Sequence, residues 1–319
     1  MYNIGIDLGG TNIAAAIVAE NGTIIRKGSV PTKREREYPE IIKDMAMLAL
    51  KLIEEENIKL DDIYSIGVGS PGTPNPQKGI IVYANNLNFN NVPIRDEIRK
   101  YIDKPVYIGN DANVAALGEF ECGAGKVYKD FVAITLGTGV GSGVIIDGKI
   151  IDGSFNGASE LGHMTINFDG ILCKCGRKGC WEQYSSATAL IRDAKNAAIN
   201  NPKSKLNNLV NGDVNKMNAK IPFDAALEGD EVAVKVINEY IRCLAIGIVN
   251  VINIFQPEII VLGGGVSAQG DNLIKPLKEN IIKEVYGGEE AFKTKVEVAK
   301  LGNDAGIIGA AMLYKAYEK

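Results

Sequence analysis

The sequence predicts an α/β protein of two related domains, and three observations lead to that fold class. The chain has 319 residues, a length that suits about two domains of roughly 100–200 residues each. Short apolar runs typical of buried strands alternate with amphipathic stretches typical of helices. One arrangement, a strand that continues through a glycine-rich turn into a hairpin, occurs twice along the chain.

The first copy of this arrangement lies at the N-terminus. Residues 2–6 form an apolar run that leads into Gly9-Gly10-Thr11, the run resumes at 13–18, and Asn21-Gly22 marks a tight hairpin turn. The second copy has the same order of parts: residues 131–136, Gly137-Thr138-Gly139, residues 144–146, Asp147-Gly148 and residues 149–151. The repeat indicates an internal duplication, with one hairpin opening each domain.

The remaining elements follow in order. Residues 40–56 place apolar side chains at the spacing of an amphipathic helix, and 65–68 and 106–108 resemble short buried strands. The second of these strands leads through Asn110-Asp111 into a helix that continues to residue 120. Downstream we predict helices at 187–198 and 231–255, a strand at 259–262 that ends in Gly263-Gly264-Gly265, and a closing helix at 304–317 with small residues for close packing.

Charge and hydropathy exclude two classes of partner. Lys and Arg total 35 against 39 for Asp and Glu, a net charge of −4, so no basic field exists to hold nucleic acid. The most apolar stretch, residues 244–255, is shorter than the ~20 residues that span a bilayer. The N-terminal residues lack the basic segment, apolar run and small-residue cleavage site of a secretion signal, so we expect none. Five cysteines are an odd number that fits a disulfide framework poorly. We therefore expect a cytoplasmic protein without a membrane partner.

Three glycine-rich turns follow predicted strands: Gly9-Gly10-Thr11, Gly137-Thr138-Gly139 and Gly263-Gly264-Gly265. Glycine lets backbone N–H groups approach phosphate oxygens closely, and a threonine hydroxyl adds a donor without charge. Each turn taken alone is equally well explained as a tight bend, and neither common nucleotide fingerprint fits. The three together favour a phosphate-bearing ligand.

The segment from Glu160 to Glu182 carries a more specific pattern. It contains the chain's one histidine, His163, and three of its five cysteines, Cys173, Cys175 and Cys180. Three thiolates and one imidazole form the four-ligand set of closed structural zinc sites. The alternative is a group of reduced core cysteines, but the charged residues between them argue against burial. We expect the zinc ion to organise the loop rather than to perform chemistry.

Polar residues at two further places are candidates for binding. Asn110-Asp111 lies where a strand gives way to a helix, a position at which ligands collect in open α/β sheets. On local sequence alone, an ordinary helix N-cap at Asp111 explains the pair better than a binding role. Glu160 and Glu182 flank the zinc loop, and rigid carboxylates of this kind suit recognition of hydroxyl groups.

Four motifs together resemble a known family. They are Asp7-Leu-Gly-Gly-Thr-Asn12, Leu136-Gly-Thr-Gly-Val-Gly141, Glu160-Leu-Gly-His163 and Cys173-x-Cys-Gly-x-x-Gly-Cys180-x-Glu182. They are similar to the ROK family of bacterial sugar kinases and repressors, most of all its glucokinases, and the similarity extends over nearly the whole chain. The cysteine-glycine motif is the specific one, because each glycine turn alone is common.

The resemblance implies an actin-like, hexokinase-type (ribonuclease H-like) fold, in which two duplicated domains close over a cleft. We expect the smaller domain to comprise residues 1–115 and 303–319, with the larger domain, which carries the zinc loop, at 116–302. It also implies a family tendency to form homodimers or homotetramers.

The resemblance also implies the substrates and the residues that bind them. A hexose and ATP with Mg²⁺ are the expected substrates, and Asp111 is the general base that takes the proton of the sugar 6-hydroxyl. The residues matched to ATP and Mg²⁺ are Asp7, Gly9, Gly10, Thr11, Asn12, Gly137, Thr138, Gly139, Gly264 and Gly265. The residues matched to the sugar are Gly72, Asn86, Asn110, Asp111, Glu160, His163 and Glu182.

Two alternatives within the resemblance stay open. A kinase for N-acetylmannosamine, N-acetylglucosamine, fructose or allose has the same motifs, because pocket shape and not motif decides the sugar. A sugar-sensing repressor of this family has an added N-terminal helix-turn-helix domain. This chain reaches its first glycine turn at Gly9, so we expect an enzyme. A polyphosphate-dependent glucokinase is disfavoured because such relatives generally lack the cysteine cluster.

Overall fold

A computed structural model describes residues 1–291 and 293–318. The strands are β1 (Tyr2–Leu8), β2 (Asn12–Ala19), β3 (Ile24–Pro31), β4 (Ile63–Ser70), β5 (Thr73–Asn75), β6 (Ile80–Ala84), β7 (Phe89–Val92), β8 (Val106–Asn110), β9 (Phe131–Leu136), β10 (Val140–Ile146), β11 (Lys149–Ile150), β12 (Ile259–Gly263) and β13 (Lys295–Val298). The helices are α1 (Tyr38–Glu55), α2 (Ile94–Arg99), α3 (Asp111–Cys122), α4 (Glu182–Ser185), α5 (Ala187–Asn200), α6 (Lys205–Leu209), α7 (Ile221–Leu227), α8 (Glu231–Phe255), α9 (Asp271–Glu284), α10 (Gly288–Ala291), α11 (Ala305–Ala311) and α12 (Leu313–Tyr317).

Two five-stranded sheets have the same internal order. The first has the order β3-β2-β1-β4-β8 and the second β11-β10-β9-β12-β13. In the first sheet β1 is antiparallel to β2 and parallel to β4, and β4 is parallel to β8. In the second sheet β10 is antiparallel to β11, and β12 is parallel to β13. The matching order confirms the duplication predicted from the two hairpins.

The chain divides into two compact units. Unit 1 comprises Met1–Phe131, Gly143–Ser159 and Lys300–Lys319, and unit 2 comprises Val132–Ser142 and Glu160–Ala299. The division expected from the sequence, 1–115 with 303–319 against 116–302, stays a prediction. Its boundary after residue 115 falls inside α3, which lies whole in unit 1 because it packs against α11.

The core of unit 1 lies between the first sheet and its helices. Helix α1 turns its apolar face, Ile41, Met45, Leu48 and Leu52, toward β2 and β3, and all four side chains are buried. Burial of that stripe stabilises the helix more than its own hydrogen bonds do, because isolated helices of this length are marginal in water. A small antiparallel sheet of β5, β6 and β7 adds to the same unit.

The closing helix predicted at 304–317 is two helices. Helix α11 ends at Ala311 and α12 begins at Leu313, with Met312 between them. The small residues of α11 allow close packing as predicted, and the structure shows that the partner is α3: a Cβ at Gly309 would stand 1.7 Å from the Val114 carbonyl oxygen. In the described residues no helix combines the length and the apolar character needed to cross a membrane.

Candidate functional site

The ends of three neighbouring strands, β1, β4 and β8, lie side by side at the carboxyl edge of the first sheet. The parallel register pairs Asp7 of β1 with Gly69 of β4, and Ser70 of β4 with Asn110 of β8. The loops that follow these strands therefore leave the sheet side by side. This is the edge at which open α/β sheets bind ligands.

The first glycine turn connects β1 to β2 at this edge. The Gly9 N–H donates to the Asn12 carbonyl at 3.0 Å, which closes the turn. Thr32, fully buried, donates its hydroxyl to the Gly9 carbonyl at 2.7 Å, and its N–H donates to the Thr11 carbonyl at 2.8 Å. Thr11 and Asn12 are exposed. Thr32 thus fixes a turn whose own side chains are free to contact a ligand.

Asp7 stands at the entrance to that turn as a half-buried carboxylate. Burial raises the pKa of Asp7 above its usual value, because desolvation penalises the ionised form. Within the described residues no ammonium or guanidinium group lies within 4.0 Å of it. A carboxylate in this setting fits a divalent cation, which would compensate the buried charge.

Asn110 caps α3 and connects it to the loop after β4. Its Oδ1 accepts from the N–H groups of Ala112 at 3.0 Å and Asn113 at 3.3 Å, and its Nδ2 donates to the Gly72 carbonyl at 3.1 Å. The N-cap expected at Asp111 is therefore wrong: Asn110 is the cap, since it keeps extended backbone, and Asp111 is the first helical residue. The Asp111 side chain is exposed, and its Oδ1 accepts from the Ala112 N–H at 2.9 Å.

Gly72 and Asn86 complete the candidate residues of unit 1. Gly72 has φ +88°, and a Cβ there would stand 2.0 Å from the Tyr83 carbonyl oxygen, so only glycine fits. Asn86 is exposed, and its Cβ lies 3.6 Å from the position a Cβ would take at Gly10. The first glycine turn and Asn86 are therefore neighbours.

The second and third glycine turns lie together in unit 2. The Gly137 N–H donates to the Gly139 carbonyl at 3.1 Å, and the exposed Thr138 lies between them. Gly264 has φ +83°, and a Cβ there would stand 2.5 Å from the carbonyl oxygen of Leu136. Gly264 and Gly265 thus lie against the strand end that leads into Gly137, and both are exposed. The sequence placed these turns 126 residues apart without showing that they touch.

The segment Glu160-Leu-Gly-His163 packs closely against β10. A Cβ at Gly162 would stand 2.1 Å from the Val140 carbonyl oxygen, and the Leu161 N–H donates to Ser142 Oγ at 3.1 Å. The His163 N–H donates to the Glu160 carbonyl at 3.1 Å, while the Glu160 carboxylate is exposed.

The four predicted zinc ligands come together in unit 2. One ligand atom from each of His163, Cys173, Cys175 and Cys180 lies within 4.8 Å of all the others. The Cys175 and Cys180 sulfurs are 3.5 Å apart, and Cys173 Sγ lies 3.8 Å from His163 Nδ1. With Zn–S bonds of about 2.3 Å, a tetrahedron places two sulfurs about 3.8 Å apart. The donor set and its spacing therefore fit a structural zinc ion.

The chain around the cluster differs from one expectation. Cys173 and Cys180 are buried, although the charged residues between them were expected to prevent burial. The backbone explains this burial. The Cys173 N–H donates to the Arg177 carbonyl at 2.8 Å, which closes a narrow loop, and the charged side chains of that loop are exposed. Burial raises the pKa of the Cys173 thiol to about 12, because desolvation penalises the thiolate. A bound cation would offset that penalty.

Glu182 lies between the cysteine cluster and the second glycine turn. The Cys173 thiol donates to Glu182 Oε1 at 3.0 Å, and Glu182 Oε2 lies 2.6 Å from the position a Cβ would take at Gly139. The preceding residue, Trp181, is fully buried and donates its ring N–H to the Cys243 carbonyl at 3.0 Å. The start of α4 is therefore anchored to α8, which fixes the Glu182 backbone.

The structure thus assembles the predicted residues within each unit. Unit 1 brings together the first glycine turn, Asp7, Gly72, Asn86 and the Asn110-Asp111 pair, and unit 2 brings together the other two glycine turns, the zinc ligands and Glu182. One residue that supports the first glycine turn, Thr32, carries no signal in the sequence. Thr32 follows the edge strand β3 and belongs to no recognisable motif. Its role in holding the turn is visible only in the structure, where its buried hydroxyl donates to the Gly9 carbonyl.

Comparison with known proteins agrees with this arrangement. A family model described as ROK family matches residues 3–317. The glucokinase of Streptomyces coelicolor is 37% identical over 312 residues, which cover 97% of this chain and 96% of that protein. The glucokinase of Thermotoga maritima is 36% identical over 315 residues, with coverage of 98% and 96%.

A solved structure shows the same relationship in three dimensions. It is a ROK family glucokinase from Streptomyces griseus in complex with glucose and AMPPNP, 36% identical, with a TM-score of 0.81 and coverage of 98% of this chain and 99% of that one. The two sheets of equal order and their helices define the α/β actin-like fold of sugar kinases, so the predicted fold class is confirmed. The chain belongs to the ROK family.

Proposed function

We propose that the protein transfers the γ-phosphoryl group of ATP to the 6-hydroxyl of a hexose, with glucose as the preferred sugar. The observation that carries this proposal is the carboxyl edge of the first sheet, where Asp111, the Gly9–Asn12 turn and the half-buried Asp7 occur together. A general base, a phosphate-binding turn and a cation ligand are three parts that phosphoryl transfer uses. The glucokinases reported above supply the choice of sugar.

Asp111 is the general base of the proposed reaction. Its exposed carboxylate accepts the proton of the sugar 6-hydroxyl while that oxygen forms a bond to the γ-phosphorus and the bond to the ADP oxygen breaks. The other proposed sugar contacts of unit 1 are Gly72, Asn86 and Asn110, the last of which caps the helix that begins at Asp111.

The phosphates and Mg²⁺ are bound by backbone and carboxylate groups. We assign Gly9, Gly10, Thr11 and Asn12 to the phosphates, and Asp7 to Mg²⁺, which would neutralise charge on the transferring group. Two observations support these assignments. The Thr32 hydroxyl holds the glycine turn closed, and the buried charge of Asp7 has no cationic side chain beside it among the described residues. A protein that binds ATP in this way needs no net positive charge, in agreement with −4.

In unit 2 the proposed nucleotide contacts are Gly137, Thr138, Gly139, Gly264 and Gly265, and the proposed sugar contacts are Glu160, His163 and Glu182. The adjacency of the two turns supports the first assignment. His163 Nδ1 faces Cys173 Sγ, which leaves Nε2 for a sugar hydroxyl. Zinc, bound by His163 and the three cysteines, would fix that ring and the loop but has no open position for chemistry.

Two properties of the protein in the cell are further proposals. Five free cysteines, three of them arranged for a metal, support a reducing cytoplasmic location. Membership of the family supports a homodimer or homotetramer.

A coupled ADP-release assay tests the function. With ATP and Mg²⁺, we expect the highest kcat/KM for glucose when it is compared with fructose, allose, N-acetylglucosamine and N-acetylmannosamine. Turnover on none of these sugars refutes the kinase function, and a clear preference for another sugar refutes only glucose as substrate.

Asp111→Asn tests the role of the base. Removal of a general base costs about 10²–10⁴-fold in kcat, whereas glucose binding measured by calorimetry persists. Asp96→Asn is the matched control, because Asp96 is an exposed acid in the first turn of α2 in the same unit. Substantial turnover by Asp111→Asn excludes Asp111 as the base.

A further inference from the structure

A continuous set of hydrogen bonds extends from the last helix of unit 1 to the helix that carries Asp111. The Tyr317 hydroxyl, on α12, donates to Asp152 Oδ2 at 3.0 Å. The other oxygen of the same carboxylate, Oδ1, accepts from Asn113 Nδ2 at 2.9 Å. Asp152 itself follows β11 and is half-buried, while Asn113 is buried in the first turn of α3.

The set continues through Asn113 to the proposed sugar contacts. The Asn113 N–H donates to Asn110 Oδ1 at 3.3 Å, and Asn110 Nδ2 donates to the Gly72 carbonyl at 3.1 Å. Asp111 lies between Asn110 and Asn113, so both of its flanks in the helix turn are fixed by this network. All the participating residues belong to unit 1.

We propose that Asp152 is a positioning residue for Asp111, acting through Asn113; the proposal rests on the proposed function. Asp152 receives one donor from α12 and one from α3, and these two bonds set the position of the first turn of α3 relative to α12. Because Asp152 is half-buried, water competes less for its two hydrogen bonds, and each bond holds its partner in place. Reaction rate depends steeply on the position of a base, since a displacement of about 1 Å can cost about 10²-fold.

The chemistry of the network makes a conservative rescue possible. In Asp152→Asn, the amide oxygen accepts from Asn113 as before. The amide NH₂ donates to the Tyr317 hydroxyl, which can turn from donor to acceptor. Asp152→Leu has similar size and makes neither bond. Tyr317→Phe removes a single oxygen atom and leaves the Asn113 bond in place.

The experiment measures kcat and KM for glucose and for ATP in these three variants and the wild type, with melting temperature and zinc content as checks of folding. We expect kcat to fall about 10-fold in Asp152→Leu and about threefold in Tyr317→Phe, with KM for ATP changed less than about twofold. Asp152→Asn stays within about twofold of the wild type in kcat.

Hydrogen exchange supplies a readout that does not depend on activity. The amides of Ala112 and Asn113 bond to Asn110, so they exchange faster in Asp152→Leu if Asp152 fixes this turn. Unchanged exchange and unchanged kcat in folded Asp152→Leu and Tyr317→Phe overturn the proposal. A loss in Asp152→Asn as large as in Asp152→Leu also overturns it, because charge rather than the network would then be responsible. A wild type that phosphorylates no sugar refutes the proposed function instead, while faster exchange still supports the positioning of the turn.

Should Asp152→Leu fail to fold, Tyr317→Phe carries the test alone. It changes one hydroxyl on the final helix, and its kcat and amide exchange then decide the outcome. A folded Tyr317→Phe with wild-type kcat and wild-type exchange overturns the proposal.

Discussion

Gly162→Ala is a substitution for which the structure predicts an effect on both the zinc ligands and a proposed sugar contact of unit 2. The new Cβ would stand 2.1 Å from the Val140 carbonyl oxygen, and real Cβ contacts essentially never fall below 3.0 Å. The atom that the new Cβ meets is a backbone oxygen, so no flexible side chain can move aside. The segment between Glu160 and His163 must therefore move away from β10, at a cost of about 1–3 kcal/mol in stability.

The displacement reaches groups on both sides of Gly162. His163 Nδ1, 3.8 Å from Cys173 Sγ, moves relative to the cysteine cluster, and Glu160 moves relative to its proposed sugar. To open the contact from 2.1 Å to 3.0 Å, the segment must move by about 1 Å, and a displacement of that size near a substrate lowers kcat/KM for glucose about 10- to 100-fold. We also expect lower zinc content.

Steady-state kinetics with glucose as the varied substrate, zinc analysis and thermal unfolding measure these effects. Gly157→Ala is the matched control, because nothing lies within 4 Å of the Cβ it adds and its backbone is not left-handed. The control keeps kcat/KM within about twofold of the wild type. Wild-type kinetics and wild-type zinc content in Gly162→Ala would refute this reasoning.

Three further predictions concern the turn, the zinc site and the buried acid. Thr32→Val removes the hydroxyl under Gly9, so we expect KM for ATP to rise about 10-fold with KM for glucose little changed; equal changes in both contradict the assignment of the turn to phosphates. Cys175→Ser abolishes the bound zinc, measured by metal analysis, while Cys122→Ser, outside the cluster, retains about one ion per chain; equal zinc in both variants contradicts the site. Burial raises the pKa of Asp7 above 3.8, so the folded protein binds this proton more readily than the unfolded chain and loses stability as pH rises through the folded value. Asp7→Asn therefore melts at a higher temperature than the wild type at pH 7 without Mg²⁺, the gain shrinks toward pH 3.8, and kcat falls; a lower melting temperature at pH 7 contradicts this.

Much of the fold could be predicted because its signals are local. The Asn21-Gly22 turn and the apolar runs around it predicted the first hairpin, and the same pattern predicted the second. The spacing of apolar residues predicted α1 and α8 within two residues at each end. No signal in the sequence predicted α6, α7, α9 or the small sheet, because their apolar patterns are short or mixed. The sequence predicted α11 and α12 as one helix because helical composition continues through Met312, where the structure has a turn.

The candidate site divides in the same way. The zinc ligands could be predicted because their chemistry and spacing lie within one short segment, and the four ligand atoms indeed converge. The identity of the N-cap could not, since Asn110 and Asp111 are both good caps and only the backbone of the folded chain distinguishes them.

By itself, the sequence determined the periodicities, the glycine turns, the donor set for zinc and the motifs of the family, because each depends on residues close together in the chain. Only the tertiary structure decided which distant residues support them: Thr32 under Gly9, Leu136 beside Gly264, and Asp152 between Asn113 and Tyr317. Those contacts join residues 23 to 165 positions apart. They arise from strand order and helix packing, which place most buried polar groups where a partner meets them.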